Sequence, residues 1–136
     1  MTIEDKANEL EDLVNLAAIY AAKGLNSCVY RCATSNDRKL YDPQIINEES
    51  RLFVELKVPA HIFAGRVADH GREFDYQTLA YGVGDRKFKN MYNSEYKRYT
   101  PDIDGIYPSE LIDTQIEYAG PNIPAYFKFT FRGERV

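Results

Sequence analysis

The segment from Asp85 to Tyr99 carries the side chains of this chain that are best suited to binding a phosphorylated ligand. It holds five basic residues against two acidic ones, with tyrosines and asparagines between them. Arginine and lysine pair with phosphate oxygens, aromatic rings stack on a base, and side-chain amides read the base's polar edge. The sequence therefore predicts a site for an anionic, nucleotide-like small molecule, formed by Arg86, Lys89, Tyr92, Asn93, Tyr96 and Arg98.

Two glycines precede this segment and fit the same hypothesis. Gly82 and Gly84 would let backbone N–H groups approach an anion closely. They do not form a dinucleotide-binding fingerprint, since the third glycine is missing and the following residues are polar. The alternative is a solvated face whose charges keep the protein soluble, with the tyrosines packed beneath it.

Arg31 and Arg66 are further candidates for the same ligand. Val29-Tyr30-Arg31 followed much later by Gln115-Ile116-Glu117 resembles the ADP-ribosyltransferases, which place an arginine on an early strand and a Gln-x-Glu pair before a late one. The resemblance implies that Arg31 holds a dinucleotide and that Glu117 stabilises a cationic ribose. The serine motif that the group carries between these two elements is absent from this chain.

The cysteines, histidines and clustered acids do not predict a metal site. Cys28 and Cys32 with the scattered His61 and His70 make a poor zinc signature. On a strand the two cysteines would stand about 13 Å apart, too far for a disulfide, so free thiols are expected. The run from Asp102 to Gly105 lacks the further oxygen ligands of a calcium loop and predicts an acidic turn.

Composition limits the function classes. The chain has 136 residues and a net charge of −4, which suits one domain and excludes a uniformly basic coat for extended nucleic acid. No apolar run approaches the roughly 20 residues that cross a bilayer, and the first residues do not read as a signal peptide. We expect a cytoplasmic protein with no membrane partner and no cofactor.

An N-terminal helix is predicted over residues 2–23. Thr2 is a suitable N-cap, and Gly24 is expected to end the helix. A heptad-spaced apolar stripe runs along it, consisting of Ile3, Ala7, Leu10, Val14, Ala17 and Ala21. The stripe either packs on the protein's own sheet or lets the helix meet a second copy, and its small residues with the many tyrosines favour a homo-oligomer.

After Gly24 the pattern changes to period two. Strands are predicted at 28–34, 51–58, 61–67, 73–83 and 125–131, with a short helix at 43–50. The prolines and glycines of 100–124 predict loops around one short element at 111–118. The predicted fold is α+β: one domain over 1–136, with the helix followed by a mainly antiparallel sheet of five or six strands across 28–131. Its predicted core contains Leu52, Val54, Leu56, Ile62, Phe127 and Phe129.

Three functions follow from these patterns. The first is a non-catalytic module that binds or sequesters a nucleotide-derived molecule through residues 86–99. The second is a protein-interaction inhibitor that docks its acidic helix or its tyrosine-rich surface on a larger partner. The third is an ADP-ribosyltransferase-like enzyme.

Overall fold

The computed structural model describes residues 2–97 and 100–136, with the side chain of Ala7 left aside. Five α-helices and four β-strands make up this part of the chain. The helices are α1 Ile3–Thr34, α2 Arg38–Tyr41, α3 Ala60–Ala68, α4 Tyr76–Gly84 and α5 Arg86–Met91, which continues as a π-helical turn at Tyr92–Tyr96. The strands are β1 Gln44–Glu48, β2 Arg51–Pro59, β3 Ile106–Gly120 and β4 Ile123–Arg135.

The four strands form one antiparallel sheet in the order β1-β2-β4-β3. Alternate residues of β2 and β4 are buried on one face: Val54, Leu56 and Val58 pair with Phe131, Phe129 and Phe127. Helices cover this face, with the Phe63 ring of α3 lying 5.1 Å from that of Phe127. The predicted α+β class and antiparallel sheet are confirmed, but the described residues form four strands rather than five or six.

The core prediction is confirmed for four of its six residues and in part for the other two. Val54, Leu56, Phe127 and Phe129 are buried. Leu52 and Ile62 are partly buried and pack against the same cluster. None of the helices in the described part of the chain is both long and apolar enough to cross a membrane.

Helix α1 is longer than predicted, because its apolar stripe does not stop at Gly24. Its buried residues continue at helical spacing through Leu25, Cys28, Val29 and Cys32. Residues 28–34 were predicted as a strand from their β-forming residue types, and that prediction is wrong. Gly24 does not end the helix but lies at the contact with α3, where an added Cβ would come within 2.6 Å of Val67 Cγ2.

Other local predictions are also wrong. Residues 61–67 and 73–83 lie in α3 and α4 rather than in strands, and their buried residues recur at helical spacing: Ala60, Phe63 and Val67 in α3, and Leu79, Ala80, Gly82 and Val83 in α4. Residues 43–50, predicted as a helix, form β1 and its turn into β2. Much of 100–124 belongs to the long strand β3 rather than to loops.

Two tight turns have both central residues in the left-handed region. Glu49 and Ser50 between β1 and β2 both have positive φ, as do Asp104 and Gly105 in the turn before β3. This is the pattern of type I′ turns, and Asp-Gly is one of their preferred pairs. The acidic run near 102–105 therefore makes a turn, as predicted, and the Asp102 carboxylate accepts a hydrogen bond from the N–H of Gly105 at 3.1 Å.

Helix α1 packs chiefly on α3, α4 and α5, which in turn cover the sheet. The contact with α4 is very close: a Cβ placed on Gly82 would stand 2.9 Å from the backbone nitrogen of Ala18. Ala17 and Ala21, the small residues expected to face a second copy, are fully buried within this chain. The homo-oligomer itself stays a prediction.

We therefore expect Gly82→Ala to force α1 and α4 apart and to lower the free energy of unfolding by about 1–3 kcal/mol. Gly65→Ala is the matched control, because Gly65 lies on α3 with no atom within 4 Å of an added Cβ. That change should raise the free energy of unfolding by about 0.5–1 kcal/mol. Urea unfolding of both variants measures the difference, and equal effects would contradict the packing described here.

Candidate functional site

The predicted ligand segment is helical, and three of its six predicted contact residues serve the fold. Asn93 binds the backbone of β3 through both ends of its amide. Its Nδ2 donates to the Leu111 carbonyl at 2.9 Å, and its Oδ1 accepts from the Leu111 N–H at 2.8 Å. The side chain thus substitutes for a neighbouring strand at the outer edge of β3.

Tyr92 and Lys89 are also engaged internally. Tyr92 is fully buried, its hydroxyl lies 3.0 Å from Thr100 Oγ1, and burial raises its pKa. Its ring packs on Phe131 at a centroid distance of 5.8 Å and presents no surface for a base to stack on. The Lys89 ammonium donates to the Ile112 carbonyl at 3.2 Å.

The remaining predicted residues do not converge. Arg86 is exposed and Tyr96 is half-buried. Ten residues of helix separate them, which corresponds to about 15 Å along the axis. Arg98 lies outside the described residues. Nucleotide binding by this segment stays a prediction, now dependent on Arg86.

Because Asn93 satisfies two backbone groups, we expect Asn93→Leu to lower the free energy of unfolding by about 1–3 kcal/mol. Asn90→Leu is the control, since Asn90 lies exposed on the same helix, and a surface change of this kind stays within about 0.5 kcal/mol. Thermal or urea unfolding checks both. A neutral Asn93→Leu would show that the two hydrogen bonds do not anchor the helix to β3.

The ligand hypothesis is tested by titrating nucleoside mono-, di- and triphosphates into the wild type and Arg86→Ala. If Arg86 binds phosphate, the wild type binds saturably and the variant binds about tenfold more weakly. The melting temperature of the free protein should not change, because Arg86 is exposed. Absence of saturable binding, or equal affinity in the two proteins, would contradict the hypothesis.

The other candidate residues of the sequence also lie apart. Arg31 is on helix α1, so the early-strand arginine of the ADP-ribosyltransferase resemblance is not formed. Asp37 lies 3.6 Å from the Arg31 guanidinium and 3.3 Å from that of Arg66, so it supplies the anion that this pair attracts. Glu117 is exposed on the uncovered face of the sheet, 3.4 Å from the Lys57 ammonium.

The two cysteines are free and buried, as expected, but they stand one helical turn apart on α1 rather than on a strand. Burial raises the pKa of Cys28 to about 12 and that of Cys32 to about 11. Both thiols therefore remain protonated near neutral pH, and protonated thiols are poor nucleophiles. Among the described residues, no group of three or more His, Cys, Asp or Glu side chains could hold a metal ion.

The surface carries an apolar groove of about 590 Å³. Three elements form it: the N-terminal half of α1, the last two turns of α4 and the tip of the β3–β4 hairpin. Its walls include Leu10, Glu11, Val14, Asn15, Gln77, Ala80, Tyr81, Gly84, Asp85, Ile116, Tyr118 and Asn122. We refer to it below as the groove.

The groove lies where the apolar stripe of α1 emerges from the core. Ala17 and Ala21 are covered by the protein, Val14 is half-buried, and Leu10 is 55% exposed. Ile3, one heptad before Leu10 on the same side of the helix, is 87% exposed. The stripe thus continues past the region that the rest of the chain covers.

Large apolar side chains surround the groove on its other two walls. Tyr81 of α4 and Tyr118 of β3 line the groove and are each more than half exposed. Together with Leu10 they line one groove, unlike the scattered single apolar residues that need no explanation.

The net charge of the chain is concentrated beside this surface. Residues 1–16 contain five acidic residues and one lysine, a net charge of −4, which equals the charge of the whole chain. The other 120 residues hold sixteen acidic and sixteen basic side chains. Glu4 and Asp5 complement the helix dipole in the first turn, and Asp5 completes a capping box with Thr2. The three other acids lie beyond that turn.

Comparison with protein-family models, with curated proteins and with solved structures finds no match. The functional argument therefore depends on the groove and its charges.

Sequence reasoning missed the groove because two of its three walls depend on tertiary structure. Residues 73–83 were predicted as a strand, which would have put Tyr81 on the same face as Leu79 and Val83. In helix α4, Leu79 and Val83 are buried and Tyr81 points outward. The signal available in the sequence was the concentration of charge in the first sixteen residues.

Proposed function

We propose that this protein is a non-catalytic protein-interaction module whose groove receives a segment of a partner protein. The observation that carries the proposal is the uncovered continuation of the α1 stripe into the groove. A helix of this kind gains most of its stability from packing its apolar face. Every described side chain from Ile3 to Leu13 is exposed, so the described residues leave this face largely open.

The residue types of the groove support a protein partner. Tyrosine and leucine supply large contact area, and Tyr81 of α4 and Tyr118 of β3 line different walls of the groove. Tyrosine is enriched at protein interfaces, since its rigid ring brings area at a low cost in conformational entropy. The groove is open, with Leu10, Tyr81 and Tyr118 each more than half exposed, which suits an extended segment better than an enclosed small molecule.

Helix-in-groove recognition provides the physical precedent. An amphipathic segment lays side chains at positions i, i+3 or i+4, and i+7 into an apolar groove. Here Leu10 and Val14 would be the contact points on α1, and Ala80 and Tyr81 those on α4.

We expect Leu10→Asn to weaken partner binding by about tenfold or more, since burial of one leucine contributes about 1.5–3 kcal/mol. The measurement starts from random 16-residue peptides selected for binding to the wild-type protein. Each selected peptide is then titrated into wild type, Leu10→Asn and the control Leu40→Asn, which makes the same change at an exposed leucine of α2, beyond the other end of α1.

The proposal expects peptides that lose affinity for Leu10→Asn and keep it for Leu40→Asn, with unchanged melting temperatures. Peptides that bind all three proteins equally would contradict the groove as the docking site. The same conclusion follows if no peptide is selected.

A further inference from the structure

We infer that the segment which the groove receives is basic: apolar anchor side chains flanked by lysine or arginine. This inference rests on the proposed function and specifies the chemistry of the partner. Its basis is the charge of the surface around the groove, where the net −4 of residues 1–16 stands beside an otherwise neutral chain.

Two acidic side chains border the apolar stripe directly. Glu4 and Glu11 follow Ile3 and Leu10 by one residue and are seven residues apart, so they lie along the same flank of the helix. Glu11 also lines the groove. A bound segment whose apolar side chains contact Leu10 and Val14 would bring its own polar flank against these two carboxylates.

The ion pairs of the described residues leave Glu4 and Glu11 largely uncompensated, although α5 with its basic residues Arg86, Lys87 and Lys89 begins next to the groove residue Asp85. Lys87 is 3.9 Å from Glu11, but both side chains are more than 60% exposed, so the pair is weak. Asp85, a further carboxylate of the groove wall, accepts a hydrogen bond from the Lys87 N–H at 2.9 Å as the N-cap of α5. If apolar atoms of a bound segment covered the groove, the Glu11 and Asp85 carboxylates would attract nearby cations more strongly, since charges interact more strongly when water is excluded.

The same charges disfavour a second copy of this chain as the occupant. A symmetric contact through this surface would place one net −4 half-helix beside another. At physiological ionic strength charges interact over about 8 Å, so helices in direct contact would repel. A basic segment would be attracted to the acidic half of α1 instead of repelled. This attraction would accelerate its binding to the groove and favour it over acidic segments.

The experiment uses the 16-residue peptides selected on the wild-type protein. Their net charge is read from their sequences, and their affinities are measured for wild type, for the double variant Glu4→Gln, Glu11→Gln, and for a matched control. The control is Glu48→Gln, Glu49→Gln, which changes the net charge equally at the β1–β2 turn, at the opposite end of the sheet from the β3–β4 hairpin tip. Sedimentation of the wild type alone is recorded in parallel.

The inference expects peptides rich in lysine and arginine that bind the Glu4/Glu11 variant at least about threefold more weakly and the control unchanged. Their affinity for the wild type should also fall with added salt.

Neutral or acidic peptides that still depend on Leu10 would overturn the inference and leave the proposed function standing. Selected peptides that ignore Leu10→Asn, or a selection that yields none, would overturn both. Wild-type self-association that Leu10→Asn abolishes would assign the groove to a second copy and overturn the inference.

Discussion

Helix α1 can bury its stripe against α3 and α4 only because the residues at the two contacts are small. Gly82 of α4 faces Ala17 and Ala18, and Gly24 of α1 faces Val67 of α3. Without side chains at these glycines the helices approach closely, and the apolar residues that follow on α1 reach the common core. The close contact of α1 with α3 and α4 also determines how far toward its N-terminus the stripe is buried. Before Ala17 the stripe carries Val14, Leu10 and Ile3, with Ala7 between the last two, and the described residues leave Val14 half-buried and Leu10 and Ile3 exposed.

The change of residue type along α1 leaves large apolar side chains on the exposed part of the helix. Such side chains lower solubility unless polar side chains surround them or a partner protein covers them. Five acidic residues stand in this half of α1, and its capping box holds the first turn in place without tertiary contacts. The N-terminal half of α1 is therefore capped at its start, exposes an apolar stripe and carries a net negative charge beside it.

Part of the fold was predictable, because a regular alternation of apolar and polar residues indicates a strand and an N-cap residue marks the start of a helix. The alternation in 51–58 and 125–131 identified β2 and β4, and Thr2 identified the start of α1. Residues 28–34 and 61–67 are short segments of β-forming and apolar residue types, and segments of this length do not distinguish a strand from a buried helix. For 28–34, β-forming residue types pointed to a strand, while packing of Cys28, Val29 and Cys32 on α3 and its neighbours decided for helix.

The prediction of the candidate site over 86–99 also depended on residue types alone. Residue types in 86–99 suit a phosphate ligand, but sequence does not show which polar groups the fold itself needs. The outer edge of β3 required hydrogen-bond partners, and Asn93 and Lys89 supply them. The core required an aromatic residue beside Phe131, and Tyr92 fills that position. The concentration of acidic residues near Leu10 could be read from the sequence, whereas its position beside an apolar groove depends on α4 and the β3–β4 hairpin.

Hydrogen exchange, read along the chain with and without a saturating groove-binding peptide, tests the central claim most directly. In the free protein, the amides of residues 3–13 should exchange much faster than those of 17–32, because only the second set is packed. Added peptide should slow exchange in 3–16, 77–85 and 116–122, and leave 86–97 unchanged. Equal protection along the whole of α1 in the free protein, or new protection confined to 86–97, would contradict the account.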